Sequence, residues 1–380
     1  MSHLYRSAVH ARIAKLPDLP QTEGDEEDEA ADSLGSLPPS MGPPLLQKFL
    51  NRQGRGRRSG QPNPIFAPIS AAGFFDQALQ ISVPESGLEF RVYYTPSKSD
   101  NGTVIVCHHG AGWSGLTYAA FAKEVARVGK GECGVLSFDC RAHGKTTTLE
   151  LRTEPEDLSI DILTHDLVNL IVTVFPDVEK SPTLLLVGHS LGGSAIVRAC
   201  PLLQAKKYKI TGVTVIDVVE EFTLEALPMM HSLLDSRPDG FQSQEDAVEW
   251  HIRTHVIRNV DSARISVPSI IMKNVGTSEP PYIWRTPLRI TAPYWDSWFT
   301  GLSGMFLAAR TARLLVLAGT ERLDKELMIG QMQGKFQLTV IPNVGHMVQE
   351  DDPTYLAEVL IEFWQRNERV VVGVKKVGEL

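Results

Sequence analysis

From residue 79 the chain alternates short apolar runs with amphipathic stretches. Residues 79–83 and 88–94 flank Pro84-Glu85-Ser86-Gly87, a pattern that predicts a hairpin. Continuous apolar runs at 103–107, 134–138, 184–187, 213–216, 314–317 and 337–341 read as buried strands. Between them, residues 117–128 carry apolar positions at helical spacing. Ile160, Leu163, Leu167, Leu170, Ile171 and Val174 share one helical face, and residues 353–364 read as a closing helix. Unbroken apolar strands alternating with helices predict an α/β fold, a mostly parallel sheet covered on both faces.

The pattern fails in two intervals. Residues 218–309 offer no core strand. They hold helix-like segments at 223–234 and 244–260, then the aromatic stretch "PYIWRTPLRITAPYWDSWFTGLSGMF". An insertion leaving the carboxyl edge of such a sheet covers the site built there, so it is expected to be a helical cap or lid. Residues 1–65 are acidic, then Ser/Pro/Gly-rich ("EGDEEDEAADSLGSLPPSMGPP"), then Arg-rich. Such composition buries too little apolar surface to offset ordering entropy, so a disordered extension is expected ahead of a catalytic domain at 66–380.

Composition changes the picture only at its edges. The 380 residues are 43% hydrophobic and 22% charged with a net charge of −8, which argues against nucleic acid as a partner. No apolar run is long enough for a membrane span, and the N-terminus lacks a secretory h-region. Cys107, Cys133, Cys140 and Cys200 show no paired spacing, so reduced thiols in the cytoplasm or nucleus are expected.

Candidate chemistry begins at "LLLVGHSLGGSAIV", residues 184–197. Gly188-x-Ser190-x-Gly192 after a strand and before a helix matches a nucleophile elbow, in which a tight turn exposes a serine oxygen above the sheet. A hydroxyl nucleophile needs a base and an acid, in this fold in the order Ser, Asp or Glu, His. His346, in the loop after the last strand, is the expected base. Asp217 and Asp324 both end or follow strands; spacing favours Asp324 slightly. "HHGAGWSG" after the 103–107 strand supplies an oxyanion loop, with the Ala111 and Leu191 amides as donors. "DCRAHG" is expected to fix a turn, and His189 to pack. No P-loop, dinucleotide fingerprint or metal spacing is present, and no metal or organic cofactor is required.

Several further stretches carry a resemblance: "VIDVVEEFTLEALPMM", "RPDGFQSQEDAVEWHIRTHVIRNVDSARISVP", "PYIWRTPL", "YWDSWFTGLSGMF" and "LAGTERLDKELMIGQMQGKFQLTVIPNVGHMVQEDDP". With the elbow and the His-Gly loop they span roughly residues 75 to 366, and the chain resembles the protein phosphatase methylesterase family of α/β-hydrolases. The resemblance implies Ser190 as nucleophile, His346 as base and, against the spacing preference, Asp217 as acid. It implies a serine esterase that removes the methyl ester from the C-terminal leucine of the protein phosphatase 2A catalytic subunit. That subunit would be both substrate and stable partner, and the triad would assemble on binding. Ala111 departs from the pattern, where a third glycine is expected; it is tolerated unless that position needs a positive φ. The residues by themselves leave open a small-molecule esterase or lipase, or a non-catalytic phosphatase-binding protein.

Overall fold

The computed structural model describes residues 62–368, apart from 100–101, 151–155, 277–278 and 321. The expected disordered extension lies outside the described residues except for its last four positions. There Asn63 caps a short 3₁₀ turn, Pro64–Phe66.

In chain order the elements are β1 (Gln77–Val83), β2 (Leu88–Thr95), β3 (Thr103–His108), α1 (Ala119–Val128), β4 (Cys133–Phe138), β5 (Thr147–Thr148), α2 (Ile160–Val174), β6 (Thr183–His189), α3 (Leu191–Ala205) and β7 (Ile210–Ile216). Next come α4 (Glu220–Asp235), β8 (Gly240–Phe241), α5 (Gln244–Arg253), α6 (Val260–Ile270), β9 (Ile271–Lys273), β10 (Tyr282–Trp284), α7 (Trp295–Phe299) and α8 (Leu302–Ala308). The chain then returns with β11 (Ala312–Ala318), α9 (Lys325–Met332), β12 (Gln337–Ile341), α10 (Val348–Asp351) and α11 (Pro353–Glu368).

A nine-stranded sheet runs β1-β2-β4-β3-β6-β7-β11-β12, with β5 on β2. The β1/β2 and β2/β4 pairs are antiparallel; every pair from β4 to β12 is parallel. Side chains alternate across the sheet. Val104, Val106, Leu184, Leu186, Val213 and Val215 join the α2 and α3 faces in one cluster. Ile105, Cys107, Leu185, Val187, Leu314 and Val316 join α1 and α11 in the other. Strands buried on both sides explain the unbroken apolar runs in the sequence.

Register aligns the carboxyl ends that matter: His108 lies opposite Gly188, His189 opposite Ile216, and Ile216 opposite Val316. Three loops therefore leave the sheet side by side, after β3, β6 and β7. In an open α/β sheet that crevice is where ligands bind.

Residues between β7 and β11 contribute nothing to this sheet. They are not wholly helical: β8, β10 and β9 form a small three-stranded sheet of their own. Nor is 244–260 one helix. His255 has φ 57°, and the Asn259 side chain accepts from the Asp261 and Ser262 amides, starting α6 afresh. The insertion has a separate small core that includes Phe241, Val248, Val267 and Met347. No helix among the described residues is long and apolar enough to cross a membrane.

Candidate active site

Ser190 stands between β6 and α3 with φ 52° and ψ −120°. A non-glycine side chain in such a conformation is strained, and neighbouring backbone must hold it there. It does: the Ser190 amide donates to the Ile216 carbonyl at 3.0 Å, and the Gly193 amide donates to the Ser190 carbonyl at 2.8 Å. The two elbow glycines are steric necessities. A Cβ on Gly188 would lie 2.2 Å from the Gly192 carbonyl oxygen, and one on Gly192 would lie 2.2 Å from that of His108.

Asp217 follows β7 directly and also takes a positive φ, 51°. Its amide donates to Val316 O at 2.8 Å, and its Oδ1 accepts from the Ala318 amide at 2.8 Å. That leaves Oδ2, which accepts from His346 Nδ1 at 2.8 Å. His346 reaches it from the irregular loop after β12, with its side chain 50% exposed. The bond fixes the tautomer: Nδ1 carries hydrogen toward Asp217, so neutral His346 has its Nε2 lone pair available as a base. No hydrogen bond joins Asp324 to His346 among the described residues. Asp324 is the N-cap of α9, with Oδ1 accepting from the Leu327 amide at 2.9 Å and Oδ2 from the Ser303 hydroxyl. Among the described residues no hydrogen bond joins Ser190 to His346.

The "HHGAGWSG" loop leaves β3 beside the elbow. A Cβ on Gly110 would lie 3.3 Å from Ser190 Cβ. The positive φ falls on Gly112, at 80°, and Ala111 is not among the positive-φ residues, so the absent third glycine costs nothing. The Ala111 and Leu191 amides make no loop or cap hydrogen bond among the described residues, whereas the Gly112 amide is committed to His143 Nε2 at 2.8 Å. Leu191 opens α3, where the first amides are unpaired and the helix dipole favours negative charge.

The "DCRAHG" residues, expected from sequence to fix a turn, hold this loop. Asp139 accepts from the Gly115 and Lys145 amides at 2.8 and 2.7 Å, tying it to the end of β4. Burial pushes the Asp139 carboxyl up to about 6, against those two amides. His143 donates from Nδ1 to Arg141 O at 2.7 Å and accepts from Gly112 with Nε2, and burial pulls its pKa down to about 4. Arg141 is bidentate on Asp166 and pairs with Glu156 at 2.7 Å. "DCRAHG" is thus turn-fixing, and its legible signal was position: β4 pairs with β3, so its end faces the loop that follows β3. The insertion touches the same loop, because a Cβ on Gly112 would lie 2.7 Å from Leu288 Cδ1.

A serine at a strained strand-to-helix turn, beside a His–Asp pair on neighbouring loops of a parallel sheet, defines a hydrolase of the α/β class. The alpha/beta hydrolase family model matches residues 105–359. Solved structures agree on fold: an E-2-(acetamidomethylene)succinate hydrolase superposes with a TM-score of 0.60 at 16% identity, covering 76% of this chain and 99% of its own. An M. tuberculosis esterase does so with a TM-score of 0.53 at 16% identity, covering 84% and 97%.

Sequence narrows the class. A protein phosphatase methylesterase 1 of Cryptococcus neoformans var. neoformans is 44% identical, covering 100% of this chain and 96% of the relative. Its namesake in Aspergillus fumigatus is 40% identical over 100% and 93%, and that of Schizosaccharomyces pombe 42% over 80% and 86%. The chain belongs to the protein phosphatase methylesterase family and is a serine carboxylester hydrolase.

Proposed function

We propose that the enzyme hydrolyses the methyl ester on the C-terminal leucine of the protein phosphatase 2A catalytic subunit, giving the free carboxylate and methanol. Ser190 Oγ attacks the ester carbonyl while His346 Nε2 takes its proton. Asp217 orients the imidazole and stabilises the imidazolium. The Ala111 and Leu191 amides receive the developing oxyanion. Protonated by His346, methoxide leaves as methanol; water, with His346 again as base, then cleaves the acyl-enzyme. The Ser190–His346 contact forms when substrate draws the exposed base over the elbow, since catalytic hydrogen bonds tighten in the Michaelis complex.

The observation that carries this reading is the 2.8 Å His346–Asp217 bond next to the strained Ser190, in a chain 44% identical to a named methylesterase. The insertion between β7 and β11 acts as the cap that docks the protein substrate, and a stable complex with the phosphatase accompanies turnover. Four buried free cysteines fit a reducing compartment, cytoplasm or nucleus. The test is incubation with methylated phosphatase catalytic subunit, following methyl release and co-precipitation. Wild type should release the methyl group and Ser190→Ala should bind without releasing it. Release by Ser190→Ala would overturn the nucleophile. Hydrolysis of small esters without release from the phosphatase would favour the small-molecule esterase.

A further inference from the structure

From sequence, His189 is a packing residue in the variable position of the elbow. Its surroundings say more. The side chain is fully buried, and its Nε2 lies 2.8 Å from the backbone carbonyl oxygen of His346. The two imidazoles are neighbours, with centroids 4.5 Å apart. On its other side the ring abuts the oxyanion loop: a Cβ on Gly110 would come 2.9 Å from His189 Nδ1. One ring therefore touches the loop after β3, the elbow after β6 and the loop after β12.

The chemistry of the contact has one direction. A carbonyl oxygen only accepts, so Nε2 carries the hydrogen and Nδ1 is bare. Nδ1 is buried and has no hydrogen-bond partner among the described residues. Protonating it would bury an unmatched charge, and burial, reinforced by His346, holds the His189 pKa well below its ordinary value. The ring is thus a permanent neutral donor.

What it holds is the base. Residues 342–347 have no regular structure and need anchors. Arg258 donates to Asn343 O at 2.8 Å, and the Gly345 amide donates to Asp351 Oδ2 at 2.6 Å. Met347 O accepts from the Glu350 and Asp351 amides, and the His346 side chain is held by Asp217. The tie on the backbone of residue 346 itself comes from the residue bonded to the nucleophile. We propose that His189 is a positioning residue, whose Nε2–H donated to the His346 carbonyl anchors the backbone of the base beside Ser190, the mount from which substrate draws the imidazole over the elbow. This rests on the triad reading above, and goes beyond it by making the elbow the mount for the base.

Two variants separate the hydrogen bond from the ring. His189→Phe keeps an aromatic ring and loses the donor; His189→Gln loses the ring and keeps an N–H at a similar reach. Displacing a catalytic group by about 1 Å can cost about 10²-fold. On a small ester, His189→Phe is expected to lose about 10²-fold in kcat with KM within about threefold of wild type, and His189→Gln to stay within about fivefold in both. Unfolding midpoints for each variant are read alongside. A His189→Phe kcat within about threefold of wild type would overturn the proposal, as would equal kcat losses in two folded variants. If His189→Phe fails to fold, a folded His189→Gln decides: near-normal kcat supports the proposal and a large kcat loss overturns it. Ser190→Ala, run in parallel, keeps the underlying reading separate. Turnover there overturns the triad and this assignment together, whereas an inactive Ser190→Ala beside an unimpaired His189→Phe overturns only the positioning role.

Discussion

At the scale of the residue, the two aspartates illustrate what spacing conveys. Asp324 is nearer His346 along the chain, and β11 adjoins β12, so contour length favours it. Contour length does not report where a side chain points. Asp217 comes directly off β7, and its left-handed φ of 51° turns the carboxylate along the strand ends toward β11 and β12. By Asp324 the chain has left β11 and turned into a helix cap. The His346 contact thus falls on Asp217 and not on Asp324, and no sequence pattern short of a family resemblance reveals it. The two sites predict opposite phenotypes. Asp217→Asn should lose about 10⁴-fold in kcat, the penalty that the wrong tautomer incurs in a model triad, with little change in melting temperature. Asp324→Ala should leave kcat near wild type and cost about 1 kcal/mol of stability through the lost cap. Steady-state kinetics and urea unfolding of both variants check the pair, and the reverse pattern would exchange the two roles.

At the scale of the element, the central strands β3, β4, β6 and β7 were legible because each is buried on both sides and so reads as an apolar run, whereas the two-residue edge strand β5 left no such signal. The insertion was less so, for a physical reason. Its strands β8, β9 and β10 are two or three residues long, too short for any period to show. The break between α5 and α6 lies in the backbone at His255 and Asn259 rather than in hydrophobic spacing. Its aromatics divide by burial. Trp295, Trp298 and Phe299 are 6%, 2% and 6% exposed and belong to the core beside the sheet, with Trp298 Nε1 donating to Leu158 O at 2.7 Å. Tyr282 and Tyr294 are half-buried. Trp298→Ala should cost about 3–5 kcal/mol, the range for losing a large aromatic from a core. Tyr294→Ala should melt close to wild type and weaken hydrolysis of the methylated phosphatase at least tenfold more than hydrolysis of a small ester. Remote contacts position a protein chain end in the transition state, whereas a small ester makes none of them. Equal losses on the two substrates would leave the insertion a role in shaping the pocket alone.

At the scale of the whole molecule, buried neutral histidines set the response to acid. His108, His109, His143, His189 and His251 are all buried. Burial, the first cause for each, lowers His108 and His143 from 6.5 to about 4, His251 to about 3, and His109 and His189 well below 6.5. Unfolded, each titrates near 6.5. Between that value and the folded one the unfolded chain binds a proton that the folded chain refuses, so stability falls as pH drops through the window. Three buried carboxyls oppose this. Asp139, Glu350 and Asp351 have raised pKa values through burial, so over their own windows the folded chain holds the extra proton and acidification stabilises. The opposition makes the bare pH profile a poor readout of any one histidine, and a substitution isolates it. His251 donates from Nδ1 to Ala247 O at 2.7 Å, while its buried Nε2 has no partner among the described residues. Trp113, Trp250, Trp284 and Phe241 surround it, and the Arg237 charge further disfavours its protonation. An apolar ring of similar shape suits that niche: it removes the buried unpartnered Nε2, which offsets the Nδ1 bond to Ala247 O that it gives up. His251→Phe should therefore match wild type at pH 7.5. On moving to pH 5 it should retain about 2 kcal/mol that wild type loses, one proton's linkage over about 1.5 units. Urea titrations of both proteins at the two pH values measure the difference, and parallel losses would mean that folded His251 takes up its proton as readily as the unfolded chain does.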